Sequence, residues 1–206
     1  QCALGWACWK TFVGRDEALM AMTLLGNGLG AVGRHEDGLR INEAKLATQE
    51  RLGASEEDIL VTSSNMASGL MILGRHDKAL TLYRMIYARA VKVFGTSHKQ
   101  TLSFALNLAM SLCLTGNFTE AISFLRPRII EAKKALGPEN RLTLMFCASL
   151  AQDLFLDDGA SPEQLREAVE ILERTVRTGQ RVLGGQHPQT IEFQESLSRA
   201  RREALE

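Results

Sequence analysis

The side chains able to act as nucleophiles, metal ligands or proton carriers are few and scattered in this chain. Four cysteines (Cys2, Cys8, Cys113, Cys147) and four histidines (His35, His76, His98, His187) make up all its thiols and imidazoles. No two cysteines form a Cys-x-x-Cys pair, and no histidine stands at ligand spacing from one, so no metal site is expected. Cys113 and Cys147 fall within apolar stretches and read as buried free thiols of a reducing compartment. That reading places the chain inside the cell, in the cytoplasm. A phosphate-binding glycine loop, a Gly-x-Ser-x-Gly elbow and a His-Glu-x-x-His pair are all missing from the sequence. The carboxylates read as spread over charged helices and chain ends, with no pair in an apolar pocket. No catalytic residue, cofactor or enzyme activity is expected. Amide chemistry recurs instead: Asn65 and Asn107 stand 42 residues apart. A side-chain amide donates and accepts at once, which suits it to pairing with a peptide backbone.

Those amides must be carried by elements that repeat with the same period. Leu52-Gly53 returns as Phe94-Gly95, Leu136-Gly137 and Leu183-Gly184, at steps of 42, 42 and 47 residues. Six residues after each glycine stands Ile59, Thr101, Thr143 or Thr190. Inside each unit a second landmark recurs, as Gly33-Arg34-His35, Gly74-Arg75-His76 and Gly116-Asn117-Phe118. The spacing predicts a helix A, a glycine turn, a helix B and a Leu-Gly loop in every unit, with the glycines ending helices in the left-handed conformation. Helix A is placed at 16–32, 57–73, 99–115 and 141–156, and helix B at 34–51, 75–93, 117–135 and 162–182. Repeats of this length are solenoids of stacked helix pairs, and solenoids mostly bind other proteins.

Composition narrows the partner class. Lys and Arg number 24 and Asp and Glu 24, giving net charge zero and a pI near 7.1. Strong attraction to nucleic acid or to an acidic membrane is therefore not expected. No run of eighteen apolar residues exists, so membrane insertion is not expected either. Residues 18–32, 59–73, 100–115 and 142–152 contain no Asp, Glu, Lys or Arg, whereas the B helices are rich in charge.

At these landmarks the chain resembles the tetratricopeptide repeat. Small residues mark its helices: Gly26, Ala67, Ala109 and Ala151 in helix A, and Gly38, Ala79, Ala121 and Ala168 in helix B. The 42-residue form, with Leu183-Gly184-Gly185-Gln186-His187-Pro188, looks like the repeats of kinesin light chain. The resemblance implies an all-α, right-handed superhelical solenoid of antiparallel helix pairs with the A helices lining its concave face. On that basis residues 1–13 are a partial helix of a preceding repeat, 14–187 four helix pairs and 188–206 a charged C-terminal cap. Carried over from the family, the groove positions are Asn27, Ser64, Asn65, Ser68, Met71, Leu106, Asn107, Met110, Gln152 and Phe155. They make a neutral Met/Ser/Asn surface for a partner peptide or helix, without basic residues to clamp a terminal carboxylate. The other reading is a permanent subunit of a larger assembly, its concave face or N-terminal end covered by a fixed neighbour. Single-strand RNA binding is disfavoured by a groove without Lys or Arg.

Three departures carry further expectations. Gly26, Gly28 and Gly30 lie within one helix and should make that end the softest, since a mid-helix glycine costs about 1 kcal/mol relative to alanine. Pro127 should kink its helix. Ser161 should cap the last B helix, with Pro162 at its first position. The start, Gln1 onward, lacks a Met and a basic region before an apolar run. It reads as a chain entered midway, with Trp6, Trp9 and Phe12 packing a truncated helix.

Overall fold

The computed structural model describes the backbone of residues 15–205 and the side chains of 17–205. Nine helices and no strand occur among them: α1 Arg15–Ala31, α2 His35–Leu52, α3 Glu56–Ile72, α4 His76–Phe94, α5 Lys99–Leu114, α6 Phe118–Leu136, α7 Arg141–Leu156, α8 Pro162–Val182 and α9 Pro188–Glu203. These are the expected A and B helices, within a residue or two at each end. The partial helix expected over 1–13, with its Trp6, Trp9 and Phe12, lies outside the described residues. No described helix is long and apolar enough to cross a membrane.

The turns follow from backbone chemistry. Gly33, Gly74 and Gly116 have φ of 77°, 71° and 72°, a region that any Cβ would penalise. In each, the next residue's amide reaches back across the turn: Arg34 to the Leu29 carbonyl (2.8 Å), Arg75 to Leu70 (2.8 Å) and Asn117 to Leu112 (2.9 Å). This bonding satisfies carbonyls that a helix end leaves open. Helix starts are capped as regularly. Ser55 Oγ accepts from the Asp58 amide (3.1 Å), and Asn140 Oδ1 accepts from that of Leu142 (2.9 Å). His98 and His187 each accept through Nδ1 from the amide two residues on, at 3.3 and 3.2 Å. Ser161 and Gln164 form a reciprocal capping box, with Pro162 in the first turn, as expected. Pro127, expected to kink α6, lies inside the helix on its solvent side, between buried Leu125 and Ile129.

The chain divides into two compact units, one ending at Leu82 and the other starting at Tyr83, within α4. In the first, α1 packs on α2 and α2 on α3. In the second, each helix from α5 to α9 packs on its successor, and the A helices α5, α7 and α9 also touch in sequence. The second unit holds a core that includes Leu102, Leu125, Phe146, Leu154 and Leu172, all fully enclosed. The threonines marked by the repeat lie at these contacts: Thr101 Oγ1 donates to the Ala90 carbonyl (3.4 Å) and Thr143 Oγ1 to that of Gly137 (2.9 Å). Charged residues bridge repeats along the B helices, as in Arg126–Glu167, bidentate at 2.8 Å. Exposed pairs of this kind contribute about 0–1 kcal/mol each, so the apolar core carries most of the stability.

Candidate protein-binding cleft

In the first unit, two glycines let α1 and α2 come close. A Cβ on Gly38 would stand 3.3 Å from the Gly26 carbonyl oxygen, and one on Gly26 would stand 3.4 Å from Asn42 Oδ1. Gly26 is therefore a packing residue as well as a weak helix former. Where the pair meets α3 a cleft of about 240 Å3 opens. Its polar side chains are Asn27, His35, Asn42, Asn65 and Ser68, and no Asp, Glu, Lys or Arg lines it. Gly30 and Gly69 contribute bare backbone, and Leu39 and Ile72 apolar surface. Three amides around one opening offer both donors and acceptors, which is what an extended peptide backbone requires. Beside it, Met20 and Leu24 share a stripe of α1 with Asn27, at four- and three-residue steps. Met20, Leu24 and Ile72 are 66%, 64% and 62% exposed. Apolar side chains this open, beside uncharged polar groups, suit an amphipathic ligand.

The expected groove residues fall in both units. Asn27, Ser64, Asn65, Ser68 and Met71 belong to the first, and Leu106, Asn107, Met110, Gln152 and Phe155 to the second. Asn27, Asn65 and Ser68 come together at the cleft. Ser64, Leu106 and Phe155 are buried by their own chain and pack the repeats. This happens because one face of an A helix serves both its B helix and the next A helix. Gln152 Nε2 donates to Ser196 Oγ at 3.0 Å, tying α7 to α9. Asn107 and Met71 are half-buried, and Met110 is exposed. The face is also less neutral at α9, where the Arg199 guanidinium lies 5.8 Å from the centre of the Phe155 ring.

Two features escaped the sequence reading. The inward stripe of α2 is Gly38, Asn42, Lys45 and Gln49, where α4 has Ala79, Tyr83, Ile86 and Ala90. Aligning the B helices residue by residue would have revealed it. Burial pushes the Lys45 ammonium below its ordinary pKa, opposed by the charge of Asp58. Replacing Lys45 with the isoleucine found at the matching place in α4 should raise stability by about 1–3 kcal/mol, read as a higher urea midpoint. The second feature is Asp153, in an A helix one residue beyond a charge-free stretch. Carboxylates were expected on B helices and at termini, yet this one, inside an A helix, is fully buried. Neither of its oxygens has a hydrogen bond of ordinary geometry. Burial raises its pKa to about 7, against a smaller lowering by the Cys113 thiol. Burial first and the carboxylate second push that thiol up to about 12.

Paired helices with small residues at their crossings define a helical-repeat protein. Comparison with known proteins specifies the repeat. The tetratricopeptide-repeat family matches residues 58–129 and again 163–189. This chain is a tetratricopeptide-repeat protein, and its fold is that of kinesin-light-chain-like repeats. A point variant of a kinesin-light-chain-type protein of Podosopora anserina, with nearly identical TPR-like repeats, superposes with a TM-score of 0.75 at 23% identity. The match covers 93% of this chain and 88% of that one. A second structure of that protein gives 0.72 at 24% identity, over 90% and 86%. BtubC (BKLC) of P. vanneervenii gives 0.75 at 15% identity, over 89% and 71%. At these identities the likeness is one of fold. A search of curated proteins finds no match.

Proposed function

We propose that this protein is an interaction scaffold whose first unit takes an uncharged, amphipathic segment of a partner protein at the cleft of α1, α2 and α3. Tetratricopeptide repeats generally mediate protein–protein interaction. The observation that carries the choice of site is the convergence of Asn27, Asn42 and Asn65 on one opening, flanked by exposed Met20, Leu24 and Ile72. The amides would read the partner's backbone and the apolar side chains its apolar face. The half-buried thiols Cys113 and Cys147 favour a reducing compartment as its place of work.

The test is a peptide selected on the whole chain from a library of uncharged amphipathic sequences. Replacing Asn27 and Asn65 together by alanine should weaken its binding by about 1–3 kcal/mol in calorimetry, with the helical signal retained. Unchanged affinity on the folded variant would move the site elsewhere. A second reading, a permanently assembled subunit, draws on Met110 and Leu114, one helical turn apart on α5 and 45% and 68% exposed. It requires the isolated chain to self-associate or aggregate. A monomer in sedimentation at high concentration would exclude it.

A further inference from the structure

The second unit holds a cavity of about 290 Å3 on the B-helix side, walled by α6, α7 and α8 and the loop at Pro138. Its apolar lining is Ile129, Leu144, Leu150 and Ile171. Three ionisable groups reach it: Lys133 from α6, and Glu167 and Arg174 from α8. They do not cancel. Glu167 is held by both arms of Arg126, each at 2.8 Å, and that bond keeps its carboxyl below the usual range. Arg174 has a loose ion pair with Glu170, at 3.9 Å, its Nε donates to the Glu170 carbonyl at 3.2 Å, and its charge also acts on Glu167. Among the described residues Lys133 makes no ion pair. The opening is thus cationic over a greasy floor. The Cys147 thiol forms part of the wall, and Lys133 and Arg174 both act on it electrostatically, which fits their flanking it.

We propose that this cavity binds a small amphiphilic monoanion, a free medium-chain carboxylate, with its head between Lys133 and Arg174 and its tail on Ile129, Leu144, Leu150 and Ile171. The volume is near the lower end for small-molecule sites, which excludes large cofactors and suits one short chain. Charge selects the head: a neutral or cationic head would gain nothing from the excess of positive charge at the rim. A carboxylate accepts from both at once. The site shares no residue with the cleft of the first unit, so the two readings stand or fall separately.

Octanoate is the probe, with octanol and octylamine as matched neutral and cationic controls, all below micelle-forming concentration. Alkylation of Cys147 by iodoacetamide on the whole chain is followed by mass spectrometry, with glutathione in the same tube as the reference thiol. The expected result is saturable protection of Cys147 by octanoate, at least tenfold weaker with octanol or octylamine, and no protection of glutathione. Lys133→Gln with Arg174→Gln should raise the half-protecting octanoate concentration at least tenfold, while the circular dichroism stays that of the parent. Equal protection by all three probes, equal protection of glutathione, or no saturable protection of Cys147 would each overturn the proposal. So would a double variant that binds octanoate as tightly as the parent.

Discussion

Asp153→Asn is expected to stabilise the folded chain by roughly 4 kcal/mol at pH 8 and by almost nothing at pH 4. In the folded state burial lifts this carboxyl from 3.8 to about 7. An unfolded chain ionises it near the ordinary value, so above that pH the unfolded state gains what the folded state is denied. The penalty is absent below the unfolded pKa, grows as pH rises and saturates above the folded pKa. This is opposite to the usual carboxylate, which is held by a cation and stabilises as pH rises. Asparagine removes the proton equilibrium and keeps the shape. The measurement is urea unfolding of both proteins at several pH values between 4 and 8. The gap between them should open across that window, through a fall in the parent. Parallel curves would show that Asp153 is hydrated or paired after all. The neighbouring Cys113, with its thiol pushed up to about 12, stays neutral throughout and adds no slope of its own.

Phe146→Ala should cost about 3–5 kcal/mol, the loss expected for a large buried aromatic whose cavity cannot fully collapse. Phe146 is fully enclosed in the core that unites α5 to α9. Its removal leaves a void bounded by helices that cannot move independently, because each is also packed on the next. Met110→Ala on the exposed side of α5 is the matched control and should fall within about 0.5 kcal/mol of the parent. Equal losses in the two variants would mean that the core does not dominate the stability of this unit.

The solenoid was legible because its determinants are local and periodic. Gly33, Gly74 and Gly116 ask for a left-handed backbone wherever they occur, and Ser161-Pro162 start a helix wherever they occur. The small positions Gly26 and Gly38 recur with the period and lie where α1 crosses α2. Much of the candidate site was less legible. Period and resemblance nominated Asn27, Asn65 and Ser68, which meet at one cleft, together with Ser64, Leu106 and Phe155, which the fold encloses. A helix wheel orders residues by angle, but which angles are covered depends on the partners packed on both sides.

By itself, the sequence determined the helix boundaries, the repeat, the turn and capping residues and the uncharged character of the A helices. Each depends on near neighbours in the chain or on period. Only the tertiary structure decided that α2 turns a polar stripe inward with Lys45 buried, and that Asp153 is entombed beside Cys113. It also decided that Lys133, Cys147 and Arg174 share one cavity. Burial and electrostatic environment are set by atoms distant in sequence. The same Asp is ordinary on a solvated helix and nearly neutral at pH 7 when neighbouring helices strip it of water.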